Sequence, residues 1–431
     1  MRGEKPELLA PAGDFEKLQA AILYGADAVY LGGKQYSLRA KANNFDAEEI
    51  ARAVQYAHAR GRKVYITVNV FARGADFPDL ENYLRALAET GADALIVSDP
   101  GVFTLAREAA PKMDLHISTQ ASTANYRSAR FWSDLGAKRI VLARELSLEE
   151  VTEIHAKASE LELEIFIHGA MCVAYSGRCL LSAAMMGRSA NRGECAHPCR
   201  YRYALMEETR PGEYFPLEED ARGSYILNAK DLCLIGHIPA IAASGADSFK
   251  IEGRMKTVYY VAAVVKAYRE ALDDYFTDPA LYESKKTFYL ESLQKTSSRD
   301  FTTGFYFGPP GRGGQMCQEE GLKQESDFLG IVRAYDARTG WAVIEQRNKF
   351  SVGEILEFFT AKGKGFRQRV DVIFTEEGVS IPCAPHPRQR IKIKTDKPVR
   401  CFDILRRTRL LTTAMAWIIM WTTILKNLVL N

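Results

Sequence analysis

The sequence predicts an α/β protein, with a (β/α)8 TIM-type barrel, a cysteine-rich insertion before its last strand, and a small C-terminal β-barrel domain. A glycine and a small residue precede an apolar run at residues 25–33, 91–99, 136–145 and 245–253. Each repeat is typical of a glycine that ends a helix, followed by a short buried strand of a parallel sheet. Further apolar runs begin near residues 7, 63, 115 and 163, which gives the eight strands of a barrel.

Helical periodicity fills the gaps between these strands. Amphipathic stretches cover residues 47–60, 77–90 and 147–159, and the last begins with the capping-box pair Ser147 and Glu150. Strands that alternate with helices favour right-handed crossovers and a parallel sheet. A doubly wound open sheet is the alternative, but no GxGxxG motif follows the first strand, which weakens it.

One connection is much longer than the others. Residues 170–233, between the seventh and eighth strands, hold five of the eight cysteines. Insertions at the carboxyl ends of barrel strands usually build active sites. We therefore expect a barrel with its insertion over residues 1–280, followed by a helical and Gly/aromatic linker over 281–325.

The pattern of the sequence changes near residue 326. Alternating strand patterns continue to residue 408 and predict the small β-barrel. Basic residues alternate from Arg388 to Lys394 and could follow a phosphate backbone, which makes RNA binding one interpretation and a solvated charged face the other. Residues 409–431 are an apolar tail of unknown role, which either reaches membrane-spanning length or packs on the protein.

Charge and composition exclude some classes of protein. The net charge of +3 over 431 residues does not by itself call for a nucleic-acid partner. No apolar run follows a basic start within residues 1–12, so no secretory signal is expected. We expect a cytoplasmic protein with reduced cysteines that act as metal ligands or catalysts, and a membrane only in connection with the tail.

The clustered cysteines predict a metal centre. Soft thiolates bind iron, zinc and copper(I), and four of them suit a [4Fe–4S] cluster. Zinc is the alternative metal, although no Cys-x2-Cys knuckle is present. Alternatively, the cysteines could simply be small buried core residues. Their clustering beside Gly, Arg and Asn disfavours this. The five are Cys172, Cys179, Cys195, Cys199 and Cys233.

The same region and the segments that follow it carry the motifs of a known family. They are EIFIHGAMC (164–172), GRC (177–179), NRGECAHPCR (191–200), NAKDLCLI (228–235), KIEGRMKTVYYVA (250–262) and FTTGFYFG (301–308). With these motifs the sequence resembles peptidase family U32, the collagenase-like proteases, nearly throughout the chain to about residue 407. Besides peptidases, this family includes prephenate-dependent tRNA uridine hydroxylases, rRNA cytidine hydroxylases and paired ubiquinone-pathway hydroxylases with [4Fe–4S] clusters.

These motifs look most like the branch that converts the wobble uridine of tRNA to 5-hydroxyuridine. The resemblance implies tRNA as partner, prephenate as co-substrate and, as in some relatives, a paralogous U32 subunit. It also implies Cys172, Cys179, Cys195 and Cys233 as cluster ligands, with Cys199 as a fifth thiol competing for one place. The C-terminal domain resembles the β-barrels of translation factors, which suits an RNA substrate.

Polar residues at the predicted strand ends supply further candidates. An Arg or Lys would pair with a dicarboxylate such as prephenate, although each could instead be a structural partner of Glu145 or Glu252. The catalytic candidates are His168, Arg144 and Glu252, and the substrate-binding candidates are Asn69, Gln120, Lys250 and Arg254. Aromatic residues that could stack bases, or simply fill the core, are Tyr259, Tyr260, Phe305, Tyr306 and Phe307.

Two other functions stay open at this point. A collagenase-like peptidase would need a thiol activated by a histidine, and Cys172, four residues after His168, is the best candidate. Neither HExxH nor GxSxG occurs. The other hypothesis is that the protein is an RNA-binding scaffold, or one subunit of a heteromeric hydroxylase, and assists a catalytic partner.

Overall fold

A computed structural model describes residues 4–39, 42–172, 175–200, 204–205, 215–216, 230–297, 299–309 and 326–408. The chain divides into two compact units. The first comprises Met1–Leu293 with Ser297–Leu322, and the second comprises Gln294–Thr296 with Lys323–Asn431.

The first unit is a closed barrel of eight parallel strands. Neighbours pair in chain order, and the last strand pairs with both the first and the seventh, through Glu7 with Ser248 and Glu164 with Ser248. The expected barrel is confirmed. Its strands are β1 (Glu7–Pro11), β2 (Ala28–Gly32), β3 (Lys63–Val68), β4 (Ala94–Val97), β5 (Asp114–Ile117), β6 (Arg139–Val141), β7 (Glu162–Ala170) and, after three short strands outside the barrel, β11 (Ser248–Ile251).

Helices connect these strands and cover the barrel. Most start at a side chain that accepts a backbone N–H, such as Asp14, Asp46 and Ser147, and the capping box predicted at Ser147 and Glu150 is present. The helices are α1 (Phe15–Leu23), α2 (Ala47–His58), α3 (Phe77–Glu89), α4 (Pro100–Ala109), α5 (Tyr126–Asp134), α6 (Leu148–Lys157), α7 (Leu181–Met186), α8 (Ile238–Ala243), α9 (Val258–Thr277) and α10 (Pro279–Gln294).

The insertion leaves the barrel at the carboxyl end of β7. This strand continues past its barrel partners, and β10 (Asp231–Cys233) pairs antiparallel with its last residues, Cys233 opposite His168. A further strand, β12 (Phe301–Thr302), pairs with β10. Within the insertion, β8 (Ala204–Leu205) pairs with β9 (Phe215–Pro216). The cysteine-bearing segment is thus anchored at both ends to one barrel strand.

The second unit is a separate curled antiparallel sheet, as expected for the C-terminal domain. Its apolar core includes Leu329, Ile344, Phe358, Ile391 and Leu405. Its strands are β13 (Ser326–Asp336), β14 (Trp341–Gln346), β15 (Phe350–Ser351), β16 (Ile355–Phe359), β17 (Phe366–Arg369), β18 (Ile373–Thr375), β19 (Ser380–Ile381), β20 (Cys383–Ala384), β21 (Arg390–Lys394) and β22 (Ile404–Thr408). The eight-stranded sheet has the order β17-β16-β22-β13-β14-β21-β18-β19, and β15 pairs with β20.

The aromatic candidates and the apolar tail are the remaining features predicted from the sequence. Among the aromatic candidates, Tyr259, Tyr260 and Tyr306 are buried and belong to the core, whereas Phe307 is about half exposed. The apolar tail, residues 409–431, lies outside the described residues. Within the described part of the chain, no helix combines the length and apolar character needed to cross a membrane.

Candidate active site at the carboxyl ends of the strands

Two adjoining cavities open at the carboxyl end of the barrel. The outer cavity has a volume of about 380 Å³ and lies among the segments that follow β2, β5, β6, β7 and β11. A smaller inner cavity of about 50 Å³ lies in the barrel mouth and shares Arg39, Gln120, Arg144 and Glu252 with the outer one. The other sequence candidates that line the two cavities are Asn69, Lys250 and Arg254 in the inner one, and Cys172, Cys179, Cys195 and Cys199 in the outer one.

Glu252 bridges two arginines between these cavities. Its Oε1 lies 3.2 Å from Nη2 of Arg39, and its Oε2 lies 3.7 Å from Nη2 of Arg144. Burial raises the pKa of Glu252, but the neighbouring guanidinium groups outweigh burial and lower this pKa to about 2. Arg144 also donates to the Ala170 carbonyl at 2.6 Å, which ties it to the start of the insertion. The result is a fixed carboxylate between two cations that face the cavity.

Arg254 is a buried cation with neutral partners. Its Nη1 donates to Ser37 Oγ at 2.8 Å and to Thr67 Oγ1 at 3.0 Å, its Nη2 donates to Asn44 Oδ1, and its Nε has no partner among the described residues. Burial lowers the pKa of Arg254 to about 10. Gly32 makes room for it, because a Cβ there would lie 2.2 Å from Nη2. Arg254 therefore holds the segment after β2 against β3.

Lys250 faces the barrel interior and is engaged in a buried ion network. Its Nζ donates to Glu164 Oε1 at 2.7 Å, and Glu164 is fully buried. Arg139 joins the same carboxylate at 3.2 Å and also pairs with Glu7 at 2.6 Å. These charges neutralise one another inside the barrel, so the contacts of Lys250 are those of a structural partner.

Gln120 and Glu145 position the segment that carries Cys179. Gly177 has a φ of +74° and packs so closely that a Cβ would lie 2.0 Å from the carbonyl oxygen of Gln120. One residue earlier, the Ser176 N–H donates to Glu145 Oε1 at 3.0 Å. Contacts from the ends of β5 and β6 thus fix the path of this thiol-bearing segment over the cavity.

Four of the five thiols share the outer cavity, whereas the fifth lies elsewhere. Cys233 is buried, its Sγ lies 3.9 Å from the Tyr268 hydroxyl, and burial raises its pKa to about 12. The backbone N–H of His197 donates to the Sγ of Cys195 at 3.4 Å. The donor set suits a soft metal or an iron–sulfur centre. As placed, no three metal-ligating side chains within the described residues converge on one point.

His168 lies apart from both cavities. It is buried beside the rings of Tyr260, Tyr268 and Phe301, with centroids 5.5–5.9 Å away, and its Nδ1 lies 3.4 Å from the Tyr268 hydroxyl. Burial and, less strongly, the charge of Lys256 lower the pKa of His168 to about 3. The imidazole is therefore neutral near pH 7 and packed as a core residue.

Arg39 is a site residue that was not among the sequence candidates. The predicted catalytic and substrate-binding candidates lie within three residues of a strand end, whereas Arg39 lies seven residues after the end of β2, in the long segment before α2. It lines both cavities and forms the closer of the two ion pairs with Glu252. A search of whole strand-to-helix segments for Arg and Lys would have included it.

The fold and the cavity define a barrel protein with a polar, thiol-lined candidate site at the carboxyl ends of its strands. Comparison with known proteins is more specific. Residues 13–316 match peptidase family U32, and residues 324–406 match the peptidase family U32 C-terminal domain. The chain therefore belongs to peptidase family U32, as its motifs indicated.

Of three curated relatives, two match this chain over most of both lengths. "tRNA hydroxylation protein P1" of Bacillus subtilis (strain 168) is 43% identical over 94% of this chain and 95% of its own length. "tRNA hydroxylation protein P" of Escherichia coli (strain K12) is 36% identical over 88% of this chain and 92% of its own length. A "23S rRNA 5-hydroxycytidine C2501 synthase" of Escherichia coli (strain K12) is 40% identical over 69% of this chain and 45% of its own length.

Proposed function

We propose that this protein is a tRNA-modifying enzyme that converts wobble uridine to 5-hydroxyuridine in a prephenate-dependent, iron–sulfur-linked reaction. Two near-full-length relatives are named for tRNA hydroxylation, and a third is named for hydroxylating a pyrimidine at C5. The observation that carries the proposal is one cavity lined by four thiols and by the Arg39–Glu252–Arg144 arrangement. This cavity combines redox-capable ligands with cations that suit an anionic co-substrate.

The thiols would hold the cluster. Cys172 and Cys179 belong to every ligand set that we consider, and two of Cys195, Cys199 and Cys233 would complete it. When bound, a [4Fe–4S] cluster would supply electron transfer close to the substrate. The protein's part is to fix the thiol-bearing segment, which the tight packing of Gly177 supports.

Arg39 and Arg144 are the residues we assign to carboxylate binding. Both face the cavity, and guanidinium groups pair with carboxylates in a bidentate geometry. Of the earlier candidates, Lys250 and Arg254 have their contacts inside the protein, with Glu164 and with neutral acceptors. Although both line the inner cavity, we therefore assign them to supporting the site and not to carboxylate binding.

The peptidase interpretation receives less support from the site. A thiol protease needs a histidine within hydrogen-bond reach of the thiol. Cys172 is exposed and lines the cavity, whereas His168 is buried among aromatic rings and does not line it. We propose no proteolytic step for this pair.

The reaction is tested by nucleoside analysis. Expression of the chain in a bacterial strain that lacks tRNA uridine hydroxylation should restore 5-hydroxyuridine derivatives. The Cys179→Ser variant should restore none, and the Cys383→Ser control, altered in the second unit, should match the wild type. Absence of the nucleoside with the wild type would refute the proposal. Gelatin cleavage that survives purification and is lost in Cys172→Ser would favour the peptidase, and tRNA binding without turnover would favour the scaffold.

The cluster is tested separately by metal analysis. Anaerobically purified protein should contain about four iron and four sulfide per chain. Cys195→Ser, Cys199→Ser and Cys233→Ser are compared where circular dichroism shows equal folding, and loss of iron in a variant identifies its cysteine as a ligand. A colourless protein with one zinc would refute the iron–sulfur link.

A further inference from the structure

The described part of the second unit carries a net positive charge, unlike the rest of the chain. Residues 326–408 contain 16 Lys and Arg against 10 Asp and Glu, a net charge of +6, whereas the complete chain carries +3. The rest of the chain is therefore slightly acidic. A basic domain attached to an acidic remainder indicates a polyanionic partner.

Some of these cations are already committed within the unit. Arg406 pairs with Glu357 at 2.5 Å, and Arg333 pairs with Glu345 at 3.0 Å. Such pairs stabilise the sheet and add little outward charge. The cations that can meet a partner are those on solvent-facing strand positions.

Strand β21 carries a row of such cations. Ile391 and Ile393 point into the apolar core and are almost completely buried. Arg390, Lys392 and Lys394 alternate with them and therefore lie on the outer face, where Arg390 and Lys394 are exposed. Successive members of the row are about 6.8 Å apart along the strand.

Aromatic side chains lie beside this row on the same face. Trp341 of β14 is paired with Lys394, and Phe374 of β18 is paired with Lys392. The two rings meet edge to face with centroids 5.4 Å apart. Neither ring points into the core, because the alternating positions are the inward ones: Ala342 next to Trp341, and Ile373 next to Phe374, are buried.

We infer that this basic–aromatic face, formed by Arg390, Lys392, Lys394, Trp341 and Phe374, binds single-stranded RNA. The cations meet the phosphates, and the rings offer a platform for unpaired bases. An acidic protein surface would use the charges but not the ring pair. Two acidic side chains lie at the Arg390 end of the row. Glu376 is 3.8 Å from Arg390, and Glu345, the cross-strand partner of Arg390, is already paired with Arg333 and Arg347. The inference rests on the proposed function, since it names where the tRNA substrate docks.

The charges are tested by salt titration. The full-length chain would be titrated with an unmodified tRNA transcript, with fluorescence anisotropy read at several salt concentrations. A plot of log K against log salt has a negative slope, and each single-strand phosphate contact adds about 0.7 to its steepness. Lys392→Ala/Lys394→Ala should therefore make the slope shallower by about 1.4. The control Lys362→Ala/Lys364→Ala makes the same charge change at two exposed positions in the turn after β16 and should leave the slope unchanged.

The aromatic contribution has a different signature. Trp341→Leu should weaken binding of the transcript about fivefold or more without changing the salt slope, and should leave binding of blunt duplex RNA unaltered. Thermal melting of each variant checks that the sheet is intact.

Two results would overturn the inference. One is equal loss of slope in the two lysine double variants, which would mean diffuse charge attraction. The other is tighter binding of polyglutamate than of tRNA to the same face, which would indicate an acidic protein partner. Neither result bears on the proposed reaction, because that is read from cellular nucleosides.

Discussion

Replacing Glu252 by glutamine tests the charge arrangement at the cavity. The substitution keeps the shape of the side chain but leaves Arg39 and Arg144 without their carboxylate. The pKa of Glu252 is about 2 in the barrel, against 4.5 for an unperturbed glutamate. At about 1.4 kcal/mol for each tenfold change in proton affinity, the ionised side chain contributes about 3 kcal/mol to folding. We expect Glu252→Gln to lower the free energy of unfolding at pH 7 by about that amount.

The dependence on pH has a definite sign. Because the pKa of Glu252 is lowered by folding, its contribution is complete above pH 4.5 and disappears as the pH falls towards 2. Urea denaturation followed by circular dichroism at 222 nm measures the loss. The control is Glu108→Gln on α4, where the same chemical change occurs at an exposed position. A loss below about 1 kcal/mol in Glu252→Gln, or an equal loss in the control, would refute the assigned ion pairs.

Three further predictions concern the barrel. Gly177→Ala should destabilise the protein by about 1–3 kcal/mol more than Gly187→Ala, because both positions have a positive φ but only Gly177 lacks space for a Cβ; equal melting temperatures would contradict this. Lys250→Met should cost about 3–5 kcal/mol in urea denaturation, because it leaves the buried Glu164 with one cation fewer, and the double variant with Glu164→Leu should recover much of the loss. His116 is buried, and chiefly for this reason its pKa is lowered, so it takes up a proton only on unfolding. For each pH unit below 6.5, the free energy of unfolding should fall by about 1 kcal/mol more in the wild type than in His116→Gln. Parallel plots of unfolding free energy against pH for the two proteins would contradict this.

The barrel itself was predictable because its signals are local. A glycine that ends a helix, a short apolar run and an acceptor side chain at the next helix start recur along the chain, and each is fixed by neighbouring residues. Gly25, Gly91, Gly136 and Gly245, which begin the four repeats, all have positive φ values. The insertion was equally visible, since a gap in a regular spacing needs no knowledge of contacts.

The roles of the charged residues were not predictable, because they depend on partners far away in sequence. Lys250 pairs with a carboxylate 86 positions earlier, and Arg254 donates to side chains more than 180 positions earlier. The sequence places both at the end of the last barrel strand but gives no sign of these acceptors. The same limit explains Cys233, whose position is set by its antiparallel pairing with His168.

The buried charges of the barrel fall into two groups, and only one is suited to binding a ligand. In the network of Lys250, Glu164 and Arg139, all three side chains are almost completely buried and both cations already contact the Glu164 carboxylate, so removing a partner costs folding energy. Glu252 instead meets its two arginines at the boundary of the cavities, with one contact at 3.7 Å that is long for a hydrogen bond. An incoming carboxylate could therefore gain donors from Arg39 or Arg144 without stripping Glu252 of both. This difference in geometry, more than the number of charges, is why we propose the anion site at Arg39 and Arg144.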